Sequence, residues 1–213
     1  MTLGNVLILG DSYSTFEGFI PQGYDVYYQG DGSYDTGVTK VEETWWHQLI
    51  TETEANLILN DSWSGSTICY KGYDDVDCSE TSSFICRLEK MEKQGFFKQN
   101  KIDTLFIFGA TNDSWLGIPL GKTKFENFTK DELYTVLPAL CYLIKRSREI
   151  LPNAQIYYII NTELRPEIVN TILTACKKYD VSTISLECID KIKGHPTIAG
   201  MAQIKNQILL GIK

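Results

Sequence analysis

The stretch NVLILG at residues 5–10 runs straight into DSYS at residues 11–14. A continuous apolar run closed by glycine is the pattern of a strand buried on both faces, as in a parallel sheet covered by helices on each side. Four more such runs follow, at 56–60 (NLILN), 103–109 (DTLFIFG), 154–160 (AQIYYII) and 181–186 (VSTISL). Between them lie amphipathic segments. Residues 42–54 place Trp45, Trp46, Leu49 and Ile50 on one helical face, and 79–93 carry Phe84, Ile85, Leu88 and Met91. Residues 129–150 open with the capping box Thr129–Glu132, carry the stripe Leu133, Val136, Leu137, Leu140 and Ile144, and stop before Pro152. Pro138 inside that segment predicts either a kink or a later helix start. Helices are also expected over 165–179 and 197–210. Strands alternating with helices mean βαβ crossovers, so the chain reads as one parallel, doubly wound α/β sheet in a single domain, 1–213. Residues 18–40, rich in Gly, Tyr and Asp, read as a long loop.

Composition narrows the function. The net charge of −7 disfavours a phosphate-neutralising surface and hence a nucleic-acid partner. Any imidazole chemistry must use His47 or His195, and a three-histidine metal site is impossible. No apolar run approaches the ~18 residues of a membrane span. Cys69, Cys78, Cys86, Cys141, Cys176 and Cys188 form no CxxC pair and no zinc-ligand spacing. Their even number permits disulfides, but no signal peptide is read at the start of the chain, and the expected location is cytoplasmic. Sequons at Asn60, Asn112 and Asn127 fit this, because a glycan on Asn112 would block the site described next.

Three strand ends carry suggestive polar residues: Gly10-Asp11-Ser12-Tyr13-Ser14, Asn60-Asp61-Ser62-Trp63-Ser64-Gly65 and Gly109-Ala110-Thr111-Asn112-Asp113. Gly194-His195-Pro196 stands just before the last helix. Open parallel sheets bind ligands at the carboxyl ends of their strands. Acyl transfer needs a nucleophile, a base within reach of it and donors for the oxyanion. Ser12 and His195 supply the first two; the Ser12 and Gly65 amides and the Asn112 side chain supply the third. Taken alone, Ser12 reads as a helix N-cap and Asn112 as the closure of an Asx turn. The peptide Asn-Asp-Ser-Trp-x-Gly occurs twice, at 60–65 and 112–117, each time expected just after a strand.

At these residues the sequence resembles the SGNH hydrolases, the GDSL-type esterase family, whose four blocks match in order: Gly10-Asp11-Ser12, Gly65, Gly109-x-x-Asn112-Asp113 and His195. The resemblance spans residues 6–204. It implies a flavodoxin-like three-layer fold with a five-stranded parallel sheet, Ser12 as nucleophile, His195 as general base, and Ser12, Gly65 and Asn112 as oxyanion hole. It also implies ester or amide hydrolysis on a small molecule, with no metal and no cofactor. The family usually has Asp three residues before its histidine, where this chain has Ile192. Asp190, or else Glu187, is the candidate acid; the alternative is a Ser–His dyad oriented by a backbone carbonyl.

Asp11, Tyr13, Trp63 and Trp115 are candidate substrate contacts, and Tyr24, Tyr27 and Tyr28 a candidate carbohydrate-stacking rim. His47 reads as a structural or exposed residue of its helix. The first expected substrate is a small acyl ester, such as an O-acetyl group on a carbohydrate, with short-chain lipids and thioesters second. A non-catalytic flavodoxin-like binding protein is the competing class. Nucleotide binding fits poorly: GIPLGKT at 117–123 has three residues between its glycines where a phosphate loop has four, and no Gly-x-Gly-x-x-Gly follows the first strand.

Overall fold

A computed structural model of the chain describes residues 2–32 and 34–212; Met1 and Lys213, at the ends of the expected domain, and Ser33 in the long loop lie outside the described residues. Five strands, β1 (Asn5–Gly10), β2 (Asn56–Ser62), β3 (Thr104–Phe108), β4 (Gln155–Ile160) and β5 (Ser182–Ser185), form one all-parallel sheet in the order β2-β1-β3-β4-β5. Alternate side chains point to opposite faces, and each face has its own core. Leu7, Leu9, Leu105, Ile107, Ile156 and Tyr158 pack under α2 (Phe84–Lys93), α5 (Val136–Ile150) and α6 (Pro166–Lys178). Val6, Ile8, Phe106, Phe108, Tyr157 and Ile159 pack under α1 (Trp45–Thr53) and α7 (Ile198–Gly211). The three layers are those expected for a chain whose strands read as unbroken apolar runs.

Local rules fix the helix starts. Thr44, Ser83 and Thr197 cap α1, α2 and α7, each side chain accepting a backbone amide of the first turn. The Thr129–Glu132 box forms, with Glu132 Oε2 accepting from Thr129 N at 2.8 Å, but it opens only a 3₁₀ turn over Asp131–Tyr134. Helix α5 begins afterwards at Val136, which leaves Pro138 in the first turn, where its missing amide costs nothing. The later start, not the kink, is what the proline dictates. Two short helices, α3 (Phe96–Gln99) and α4 (Thr111–Trp115), and a small antiparallel hairpin of β6 (Lys191–Ile192) and β7 (His195–Pro196) complete the fold.

The repeated peptide takes two conformations: Asn60–Ser62 ends β2, whereas Asn112–Trp115 lies in α4. Register aligns Gly10 with Ser62 on one side and Phe108 on the other, so β2, β1 and β3 end at one level. The polar residues after these strands share one surface of the sheet.

Candidate active site

The floor of the site is the turn after β1. Gly10 is obligatory there, because a Cβ would lie 2.4 Å from Ser62 Oγ and 2.9 Å from Ser14. Residues Ser12–Ser14 then form a single 3₁₀ turn with Asp11 as N-cap, its Oδ1 accepting from Tyr13 N at 3.1 Å. No α-helix follows directly; the strand end is closed by this one turn. Asn60 Nδ2 donates to Ser14 O at 2.8 Å and locks the turn against β2.

His195 is brought to Ser12 by the β6–β7 hairpin. Its Nε2 lies 2.9 Å from Ser12 Oγ, and its Nδ1 lies 3.3 Å from the carbonyl oxygen of Lys193. A carbonyl only accepts, so Nδ1 carries the proton and Nε2 presents its lone pair to the serine hydroxyl. Burial, reinforced by the Lys191 ammonium and opposed by the Lys193 carbonyl, holds the imidazole down to about 4, so the ring is neutral at pH 7. Asp190, expected behind the histidine, is elsewhere: its Oδ2 accepts from Thr197 Oγ1 at 2.5 Å, while its amide donates to Gln203. The carboxylate braces the cap of α7 because it leaves the chain before the hairpin turns back. Glu187 likewise sits against Gln207 through its backbone. His47 lies in α1 with Nδ1 3.5 Å from Thr51 Oγ1.

The third wall comes from the loop after β2 and from α4. Gly65 has φ +77, and a Cβ there would lie 3.8 Å from the Tyr73 ring. Gly109 has no room for a side chain, with Phe84 Cζ 2.4 Å from an added Cβ, and Ala110 follows at φ 74. This tight entry turns Asn112 inward: its Nδ2 donates to Ser66 O at 2.8 Å, and its Oδ1 accepts from Tyr73 at 2.9 Å. Asp113, whose buried carboxyl is pushed up by desolvation, accepts from Ile68 N and Cys69 N and pins the same loop. Ser12, Gly65, Asn112 and His195 therefore converge.

Asp11 and Tyr13 do not face substrate. Both are fully buried, Asp11 as the N-cap of the turn and Tyr13 with its hydroxyl directed to the hairpin, in a turn where Ser12 too is largely covered. Burial pushes the Asp11 carboxyl up to about 7, and its Oδ2 has no hydrogen-bond partner. The Tyr13 hydroxyl donates to the Gly194 carbonyl and holds the hairpin. Trp63 is half-buried, stacked on Tyr24 at 4.0 Å with Nε1 donating to Asp25. Trp115 is 43% exposed beside the imidazole, 5.5 Å between centroids.

Two features escape a sequence reading. Arg87, 1% exposed in α2, donates to Asp61, Gly10 O, Ser66 Oγ and Ser82 O, tying together the turns that carry Ser12 and Gly65. Tyr73 joins Asn112 from a turn with no recognisable signature. Among the described residues no cluster of His, Cys, Asp and Glu is arranged to hold a metal ion, and no helix is long and apolar enough to cross a membrane.

Fold and site together define an α/β serine hydrolase acting on esters, of the SGNH type. The chain belongs to the GDSL-like lipase/acylhydrolase family, whose model matches residues 4–212. It is similar to a protein of Bacteroides ovatus described as a GDSL-like lipase, at 42% identity and TM-score 0.91 over 100% of this chain and 99% of that one. A second, from Bacteroides uniformis and described likewise, is 39% identical with TM-score 0.89, covering 98% and 95%. An acetyl xylan esterase of Butyrivibrio proteoclasticus shares the fold at 15% identity and TM-score 0.62, over 98% of this chain and 63% of that one. No curated protein matches the chain.

Proposed function

We propose that this enzyme removes small acyl groups from hydroxylated carriers such as carbohydrates, through a Ser12–His195 dyad whose third partner is the Lys193 carbonyl. The observation that carries the reading is the 2.9 Å contact from His195 Nε2 to Ser12 Oγ, with Nδ1 turned to Lys193 O. Ser12 Oγ attacks the ester carbonyl while its proton passes to Nε2. The oxyanion is met by the Ser12 and Gly65 amides and by the Asn112 amide hydrogen not engaged by Ser66. The imidazolium returns the proton to the leaving alcohol. Water, deprotonated by His195, then hydrolyses the acyl-enzyme.

Two features favour the substrate class. Ser12 is only 3% exposed, so a short acyl group reaches it more readily than a bulky one. The mouth is rimmed by the exposed rings of Tyr34, Tyr73 and Trp115, which offer apolar faces to a sugar ring. The acetyl xylan esterase with the same fold bears a name of this substrate class. The chain 1–213 acts as one domain in this reading, and six free cysteines, five of them buried, suit a cytoplasmic setting.

The test uses p-nitrophenyl acetate and an acetylated xylo-oligosaccharide. Ser12→Ala and His195→Ala each lose on the order of 10⁴-fold or more in kcat. Asp190→Asn leaves kcat little changed, in contrast to the ~10⁴-fold loss that follows removal of a triad acid. Full activity in Ser12→Ala overturns the assignment, and turnover of butyryl or longer esters above the acetylated sugar overturns the substrate class.

A further inference from the structure

His195 is held by aromatic rings as well as by hydrogen bonds. The Tyr27 ring lies parallel to the imidazole, with centroids 3.5 Å apart and planes 9° apart, and Tyr34 stacks on its outer face at 4.3 Å and 10°. Tyr13 and Trp115 complete the enclosure, each with its centroid 5.5 Å from that of the imidazole. Tyr27 is fixed from both ends of the site. Its amide donates to Thr15 Oγ1 at 2.9 Å, and that hydroxyl donates to the carbonyl of Ser12 itself. The next residue, Tyr28, donates from its hydroxyl to Pro196 O at 3.0 Å, one residue beyond His195. One dipeptide of the long loop thus gauges the distance between nucleophile and base.

We propose that Tyr27 is a positioning residue that does for His195 what a triad acid does elsewhere: it fixes the plane of the imidazole and stabilises the imidazolium through its ring face. The inference rests on the dyad reading above. The Lys193 carbonyl sets the tautomer but carries only a dipole, so it offers the developing cation less than a carboxylate does. A flat aromatic face against a desolvated cation supplies attraction of a second kind. The charged and titratable groups facing the ring are Lys191 on β6, the Tyr13 and Tyr27 phenols, Ser12, and the Lys193–Asp35 pair at the hairpin tip. None is an unpaired carboxylate, which leaves the role to the ring.

The experiment compares the full-length parent with Tyr27→Leu, Tyr27→Phe and Tyr27→Met on p-nitrophenyl acetate across pH 3–9, with melting temperatures measured alongside. Tyr27→Leu is expected to lose about 10- to 30-fold in kcat with KM nearly constant. Tyr27→Phe, which keeps the face, restores most of that loss. The apparent pKa of kcat/KM falls below the parent's in Tyr27→Leu, because the imidazolium loses its aromatic partner while the leucine still keeps water from the ring. A rise toward the ordinary histidine value overturns the stabilising role. Tyr27→Met replaces the leucine variant should that one melt below the assay temperature.

The proposal is overturned if kcat stays within twofold, if Tyr27→Phe is no better than Tyr27→Leu, or if the loss lies in KM, which makes Tyr27 a substrate platform. Failure of the dyad reading is seen separately: His195→Ala then retains the parent rate whatever Tyr27 does.

Discussion

Asn112 has two of its side-chain positions accounted for: its oxygen accepts from Tyr73 and one amide hydrogen goes to Ser66. The proposed mechanism gives the other hydrogen to the tetrahedral intermediate. Asn112→Ala is expected to lower kcat by on the order of 10²–10³ with little change in KM, as measured on p-nitrophenyl acetate. Asp11 makes a different prediction. Its folded pKa of about 7 lies above the carboxyl's ordinary value of 3.8, so between these the native state holds a proton that the unfolded chain has released. Stability from this group therefore falls as pH rises from about 4 through 7. The melting temperature of Asp11→Asn should gain on the parent between pH 5 and pH 8; a constant difference refutes the assignment. At this scale the meeting of Ser12 with His195 was legible, because Ser12 sits in a motif at a strand end and His195 in one just before the last helix. Asp11 and Tyr13 were misjudged, since adjacency to a nucleophile does not say which way a 3₁₀ turn throws its neighbours. Asp190 was misjudged because distance along the chain hides a hairpin that reverses it.

The element that matters most is the two-stranded pinch of β6 and β7, two residues to a strand, whose turn residues Lys193 and Gly194 have φ of 48° and 82°. Positive φ at both positions is the demand of a tight two-residue hairpin, and it aims the Lys193 carbonyl at Nδ1. A Cβ on Gly194 would lie 3.0 Å from the Trp115 ring. Gly194→Ala is expected to lower kcat about ten- to a hundredfold by tilting the carbonyl. Its melting temperature should fall by only a few degrees, given ~1–3 kcal/mol of backbone strain. Equal activity in that variant refutes the hairpin's role. Sheet strands and long helices were readable from periodicity, because burial on one or two faces imposes it. The hairpin was not, since two strands of two residues each have no period. The Asn-Asp-Ser-Trp repeat carries the same lesson: identical residues finish a strand in one place and build a helix in the other, as the surrounding packing decides.

Across the whole molecule the site hangs on the edge where β2, β1 and β3 end together, and Arg87 is the tie between the loops after β1 and β2. Its guanidinium is buried with Asp61 at 2.9 Å and stacks over Phe84 at 4.5 Å. Arg87→Met leaves the Asp61 charge without its partner and is expected to cost about 3–5 kcal/mol, read as a lower urea midpoint. A midpoint shift equivalent to less than about 1 kcal/mol would show that the pair is relieved by water. Nothing in the sequence marks this arginine, which occupies a position that any surface charge of an amphipathic helix might hold. The layers, by contrast, follow from five apolar runs and the handedness of their crossovers.

The contact between Ser12 and His195 joins residues 183 positions apart. On the proposed dyad, nucleophile and base come from opposite ends of the fold: a chain clipped before the hairpin keeps Ser12 but loses its base, and its expected rate on p-nitrophenyl acetate is that of His195→Ala.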